Sequence, residues 1–278
     1  MKNTLKLSSI VLLTVLFAGC AHLRDDIAPP SQSTVSKSAL WIQNSAEYEA
    51  SSLQVYNLAT QNLQSAVKTA TEGGEREGNP STLQPAVVLD IDETVLDNSR
   101  YFAKLVLENE EFDPATWDTW VALQQASAIP GALHFIKYAA GIGVEVVFIT
   151  NRACQKREGA VDICPQKSDT ISNLEKLGLT DVDPSNVLLK KEKKDWSSEK
   201  ESRRSFVAQK YRIIMLIGDD LGDFLPNVKK NITPVERIRL VTEHADKWGK
   251  DWFILPNPQY GSWLSILHKP RGQYLQGY

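Results

Sequence analysis

Ala86-Val87-Val88-Leu89-Asp90-Ile91-Asp92-Glu93-Thr94 is the stretch on which the fold reading turns. Four apolar residues running into an acidic turn read as a strand buried on both faces that ends at Asp90. Asp90 and Asp92 have one residue between them, so in extended chain they project to the same side. Paired carboxylates at the carboxyl end of a buried strand suit phosphoryl transfer. One attacks phosphorus, its neighbour handles the proton of the leaving group, and a divalent cation tempers the repulsion between phosphate and carboxylate.

Working outward, similar apolar runs recur. Strands are predicted at 87–91, 144–149, 187–189, 213–217 and 252–255, with helical patterns at 131–140, 168–176 and 198–210 between them. Strand, helix, strand at this spacing implies a parallel sheet with right-handed crossovers, and ligands then bind outside the carboxyl ends of the strands. Asp90, Thr150 and the run Gly218-Asp219-Asp220-Leu221-Gly222-Asp223-Phe224 all fall at that edge. Before the sheet, apolar residues at Ile42, Ala46, Leu53, Tyr56, Leu63 and Val67 keep a helical period over 41–67, a docked helix or helix pair. Residues 98–128, with Phe112, Trp117 and Trp120, are predicted to cap the sheet edge. Gly218 and Gly222 read as turn glycines, and Gly141 and Gly143 as a helix-to-strand turn.

These parts resemble the haloacid dehalogenase superfamily, whose motifs are D-x-D-x-T, a strand-ending Thr or Ser, a Lys, and paired aspartates. Within it the chain is similar to the class C acid phosphatases, the lipoprotein e 5'-nucleotidase family. The carriers are Val88-Leu89-Asp90-Ile91-Asp92-Glu93-Thr94-Val95-Leu96 with Asn98 and Tyr101, and Ile214-Met215-Leu216-Ile217-Gly218-Asp219 with Leu221, Asp223 and Phe224. Residues 41–48, Phe148-Ile149-Thr150-Asn151-Arg152 and Pro256-Asn257-Pro258-Gln259-Tyr260-Gly261 add to it. Asp220 departs from the family's usual Asn or Thr. The resemblance implies an α/β, haloacid dehalogenase-like (Rossmannoid) parallel sheet with flanking helices, an N-terminal helical segment and a small cap. It also implies hydrolysis of phosphomonoesters, 5'-nucleotides and similar esters, and a homodimer.

Roles follow from residue chemistry and the resemblance together. Asp90 is the expected nucleophile, since His22, His134, His244 and His268 are scattered and offer neither a Ser-His-Asp set nor a histidine nucleophile. Asp92 is the expected general acid and then base, and by resemblance its backbone carbonyl binds the metal. Mg²⁺ is the expected ion, being hard and oxygen-ligated, held by Asp90 and Asp219 with Asp223 as ligand or support. Thr150 is expected to bond phosphoryl oxygens, assisted by Asn151 and Arg152. Lys190, Lys191, Lys193, Lys194 and Lys200 all compete for the motif lysine. Lys200 is preferred because it opens a helix with Arg203 and Arg204 and lies 19 residues before Asp219, a spacing similar to that of the lysine in the family it resembles. Tyr260, with Tyr101 and Phe112 in the cap, is expected to stack a nucleobase, against a plain packing role. A non-catalytic ligand-binding lipoprotein and a phosphotransferase are the alternatives; retention of both Asp90 and Asp92 disfavours the first.

The start of the chain reads as a targeting segment. Lys2 and Lys6, an apolar core at 7–17 and Phe17-Ala18-Gly19-Cys20 resemble a bacterial lipoprotein signal over 1–19, with lipid on Cys20. Ala21 and His22 resemble lipoproteins sorted to an outer membrane, and residues 20–38 read as a polar tether to a domain at 39–278. Losing Lys2 and Lys6 takes the formal net charge from −3 to −5, which argues against nucleic-acid binding. Cys154 and Cys164 are then the remaining cysteines, and export favours their disulfide over two free thiols.

Overall fold

The computed structural model describes residues 30–72 and 83–278, with backbone alone for 30–36 and 69–72. The expected leader, Cys20 and the first part of the tether lie outside the described residues. Five parallel strands form the sheet in the order β5-β4-β1-β6-β7: β1 is Pro85–Leu89, β4 Glu145–Ala153, β5 Val187–Lys190, β6 Arg212–Gly218 and β7 Trp252–Ile254. β2 (Leu96–Asp97) and β3 (Ser127–Ala128) make a separate antiparallel pair at the base of the cap.

β1 is central because it is apolar on both faces, and its alternation divides the core. Val87 and Leu89 join Tyr56, Leu63, Phe135 and Leu174 on one side. Ala86 and Val88 join Trp196, Val207, Leu216 and Phe224 on the other. Helices α1 (Pro30–Asn44), α2 (Ala46–Glu72), α5 (Ala132–Gly141) and α6 (Pro165–Lys176) accompany the first core, and α7 (Glu201–Ala208) the second. The cap contains α3 (Ser99–Glu108) and α4 (Pro114–Leu123), while α8 (Pro234–Glu243) and the short α9 (Ser262–Ser265) flank β7 in the chain.

The structure sharpens the expected elements, corrects one boundary and adds a helix. Helix α1 begins within the tether stretch, at Pro30, a residue pre-set for the first helical position. Of the two readings of 41–67, one helix or a helix pair, the structure has the pair, broken at Ser45, whose hydroxyl accepts the Tyr48 amide at 3.1 Å and so starts α2. β4 continues past the expected end to Ala153, because a register shift after Thr150 lets Ala153 pair with Lys190. α8 escaped the hydrophobic-period reading because Val235 and Ile238 face outward, 75% and 67% exposed. Its start was nonetheless written in Thr233-Pro234-Val235-Glu236, a reciprocal capping box with proline at the first turn.

Candidate active site

Asp90 stands one residue past β1, where its amide still bonds the Ile217 carbonyl at 3.0 Å. That bond keeps it level with Gly218 and Asp219 at the tip of β6. Three carboxylates meet here: ligand atoms of Asp90, Asp219 and Asp223 all lie within 4.8 Å of one another. Lys200 Nζ reaches into the group, 2.5 Å from Asp90 Oδ1 and 2.6 Å from Asp223 Oδ1. Of the competing lysines, Lys200 is therefore the one the fold brings to the aspartates.

The charges explain each carboxyl's behaviour. Burial pushes Asp90 up to about 6; Lys200 pulls it down while Asp223 and Asp92 add to the rise. Burial works against the Lys200 ammonium as well, but Asp223 and Asp90 outweigh it and hold its pKa above the ordinary value. Burial, then Asp223 and Asp90, drives Asp219 well above the usual carboxylate range, against the hydrogen bond from Asn257. Asp219 has amide and hydroxyl partners, Asn257 Nδ2 at 2.8 Å and Thr94 Oγ1 at 3.3 Å, and no cation within ion-pair range among the described residues. A cluster of buried oxygens with excess negative charge fits a hard divalent cation, so the donor set agrees with Mg²⁺.

Asp220, the departure from the family pattern, turns away from this cluster. Its carboxylate accepts from the amides of Gly222 (2.8 Å) and Ser262 (2.5 Å) and from the Ser262 hydroxyl (2.7 Å). Although burial opposes it, these donors hold its pKa below the usual value. The glycines on either side are explained by crowding and not, as expected, by turn geometry. A Cβ on Gly218 would lie 2.2 Å from Asp223 Oδ2, and one on Gly222 would lie 2.1 Å from Lys229 Cε. Lys229, which the sequence reading passed over, crosses Gly222 and donates to the Ser198 carbonyl at 2.6 Å.

Asp92 lies on the opposite flank, and its side chain is outside the three-carboxylate cluster. Arg152 grips it from Nη2 at 2.8 Å and Nε at 3.0 Å, Asn98 Nδ2 donates at 3.0 Å, and Thr150 Oγ1 donates at 3.3 Å. The two expected phosphate helpers have partners within the protein. Arg152 is buried and spends its guanidinium on Asp92 and Thr170. Asn151 donates to the Ser198 carbonyl at 3.2 Å and accepts from Arg203 at 2.7 Å, so it braces the segment that carries Lys200. Arg203, fully buried, completes that brace by donating to the carbonyls of Thr150 (2.5 Å) and Ser197 (3.0 Å). Its position on the helix after Lys200 was legible, but nothing in the sequence marked it as the link between β4 and α7.

The aromatic wall is also rearranged. Tyr101 is 2% exposed, its hydroxyl paired with Thr116 Oγ1 at 2.9 Å and its ring edge-on to Trp117, so it supports the cap from inside. Phe112 is 56% exposed and meets Tyr101 at 6.2 Å between centroids. Tyr260 stacks on Phe102 at 4.8 Å and donates its hydroxyl to Glu93. Phe102 had been missed. Glu93 itself is buried in a left-handed conformation, and burial, followed by Asp92 and Asp219, raises its pKa well above normal. Cys154 and Cys164 form the expected disulfide, with Cα atoms 4.7 Å apart.

A parallel sheet whose strand tips gather three aspartates and a lysine, with a fourth aspartate held apart under a small cap, defines a haloacid dehalogenase-type centre. Residues 23–263 match the HAD superfamily, subfamily IIIB (acid phosphatase), and the chain belongs to that family. Among solved structures it is similar to the class C acid phosphatase from Bacillus anthracis, 31% identical with a TM-score of 0.75, covering 89% of this chain and 99% of that one. The same enzyme with tungstate bound matches at 30% identity and a TM-score of 0.75, covering 90% and 99%. Curated relatives include the stem 28 kDa glycoprotein of Glycine max, 31% identical over 50% of this chain and 52% of its own length. Acid phosphatase 1 of Solanum lycopersicum is 27% identical over 62% of this chain and 57% of its own. The chain thus spans about half the length of the curated relatives it matches.

Proposed function

We propose that the protein is a Mg²⁺-dependent acid phosphatase that hydrolyses phosphomonoesters, 5'-nucleotides among them, through an aspartyl-phosphate on Asp90. The observation that carries this reading is the division of labour between two aspartates two residues apart. Asp90 sits with Lys200 and the carboxylate cluster, whereas Asp92 sits with neutral and cationic donors outside it.

In the first step an Asp90 oxygen bonds to phosphorus as the ester P–O bond breaks, and the leaving oxygen takes its proton from Asp92. In the second step Asp92 accepts a proton from water as that water attacks phosphorus, releasing phosphate and restoring Asp90. Lys200 offsets the charge of nucleophile and phosphoryl group, and Thr150 offers its hydroxyl to a phosphoryl oxygen. Asp90, Asp219 and the backbone carbonyl of Asp92 would hold Mg²⁺, with Asp223 beside them. When bound, the ion supplies charge neutralisation between carboxylates and phosphate. Binding of tungstate by the Bacillus anthracis enzyme supports an oxyanion site in this family.

Phe112 and the Tyr260–Phe102 stack supply aromatic surface near the same edge, which supports nucleotides as substrates. The leader-like residues 1–19 and Cys20 support a lipid-anchored protein of a bacterial outer membrane, and the family resemblance supports a homodimer. The test is phosphate release from a 5'-nucleoside monophosphate with Mg²⁺ and with chelator. Release that needs Mg²⁺ supports the reading; no release in either condition favours a binding lipoprotein. Transfer of the phosphoryl group to added alcohol in preference to water makes it a phosphotransferase.

A further inference from the structure

Asp92 Oδ1 and Oδ2 are not equivalent. Oδ1 receives Arg152 Nη2 at 2.8 Å, Arg152 Nε at 3.0 Å and Asn98 Nδ2 at 3.0 Å. Oδ2 has only two longer contacts, Thr150 Oγ1 and Arg152 Nε, both at 3.3 Å. The Asn98 bond is useful only while its NH₂ faces Asp92. A primary amide is nearly symmetric in shape, and turned over it would aim its carbonyl at the carboxylate.

Trp120 opposes the turn from the far side of the amide. Its indole Nε1–H, a donor with no acceptor capacity, lies 2.8 Å from Asn98 Oδ1. An NH₂ group there would face another donor, so Trp120 favours the amide orientation in which the NH₂ faces Asp92, the Leu96 carbonyl (3.2 Å) and Glu93 Oε2 (3.4 Å). Trp120 lies on α4 and is 8% exposed. α4 is itself fixed to the body: Asp118 pairs with Arg157 at 2.8 Å, Arg157 pairs with Asp169 at 2.9 Å, and Gln124 donates to Asp169 at 2.8 Å. We infer that Trp120 is a positioning residue for the phosphatase reaction, a cap tryptophan that sets Asp92's orientation through the Asn98 amide.

The inference rests on the reading of Asp92 as the group that protonates the leaving oxygen. Such a role makes a specific demand: misorienting Asp92 should slow esters whose leaving group needs a proton and spare those whose leaving group departs as a stable anion. Loss of a packing residue predicts no such discrimination.

The experiment measures kcat/KM, which reports the step that breaks the ester bond and not the later hydrolysis shared by both esters, for an alkyl phosphate and for para-nitrophenyl phosphate in wild type, Asp92→Asn, Trp120→Phe and the double variant. Position 120 is also replaced by benzothienylalanine, an indole isostere with sulfur for N–H, which keeps the packing should Trp120→Phe fail to fold. Trp120→Phe and the isostere should lower kcat/KM on the alkyl ester about tenfold or more while changing that of the aryl ester less than about twofold, in the range expected for a misplaced acid. The double variant should be no slower than Asp92→Asn, because Trp120 acts only through Asp92. Equal losses on both esters, no loss from the isostere, or a further loss on top of Asp92→Asn overturns the inference. Asp92→Asn that fails to distinguish the esters overturns the general-acid reading, and the inference with it; a discriminating Asp92→Asn beside an indifferent isostere overturns the inference alone.

Discussion

The Lys200 ammonium lies 2.5 Å from a carboxylate oxygen of Asp90, and both groups are removed from bulk water. Removing one partner of such a pair leaves buried charge uncompensated, and here Asp223, 2.6 Å from the same nitrogen, loses its cation too. Lys200→Met should therefore cost about 3–5 kcal/mol of folding stability in chelated protein, the usual size of a broken buried pair. Denaturant unfolding with chelator present measures it. A loss below about 1 kcal/mol, as for an exposed ion pair, would mean that Lys200 contributes little in the resting site.

Asp90→Asn should remove nearly all turnover while keeping the fold, and it should also change how stability depends on pH. Burial raises the Asp90 carboxyl to about 6 in the folded protein, against about 4 in an unfolded chain. Between those values the folded state holds more protons, so this group makes metal-free protein less stable as pH rises from about 4 to 6. Asp90→Asn in chelated protein should flatten that part of the profile. Unfolding midpoints across this window, beside phosphate release at saturating Mg²⁺, test both halves. Near wild-type turnover in the variant refutes the nucleophile assignment, and an unchanged slope refutes the raised carboxyl.

The contrast between Asp90 and Asn151 marks how far the sequence could be read. Asp90 was legible because a buried strand needs a continuous apolar run, and the polar residue that ends it must stand at the sheet edge. The same logic placed Thr150 and Asp219, and the helix opening singled out Lys200. Where a side chain turns once it reaches the edge is set by partners distant in sequence. Asn151 and Arg152 follow Thr150, yet one is drawn to Ser198 and Arg203 and the other to Asp92. Tyr101 and Phe112 share the cap and both meet Trp117, yet Tyr101, which also lies against Phe102, is buried and Phe112 is exposed. The crowding at Gly222 likewise depends on Lys229, seven positions on, folding back across it.

The Cys154–Cys164 bridge joins the end of β4 to the residue preceding α6, and α6 carries Thr170, a partner of Arg152. Closing a loop of this length stabilises by roughly 2–3 kcal/mol on the chain-entropy estimate. Cys154→Ser with Cys164→Ser should lower the denaturant midpoint by an amount in that range. Thiol labelling of unreduced native protein should find neither cysteine free, and labelling of both would sink the bridge.

Tyr260 bears on substrate choice. Its ring is already stacked on Phe102 at 4.8 Å, and its hydroxyl is held by Glu93, the residue after Asp92. The ring is thus oriented from below and from its tip, which reduces the entropy a nucleobase must overcome to stack on its remaining face. Stacking of this kind contributes about 1–3 kcal/mol per base and tolerates different bases. Tyr260→Ala should therefore raise KM for 5'-nucleoside monophosphates by roughly fivefold to a hundredfold, with little change for a small aliphatic phosphate ester. Tyr260→Phe keeps the ring but frees it from Glu93, and should give a smaller rise on nucleotides alone. Steady-state kinetics on both substrate types decide the matter. Equal effects on nucleotide and aliphatic ester, or none on either, would make Tyr260 a packing residue and move the base site elsewhere along the cap.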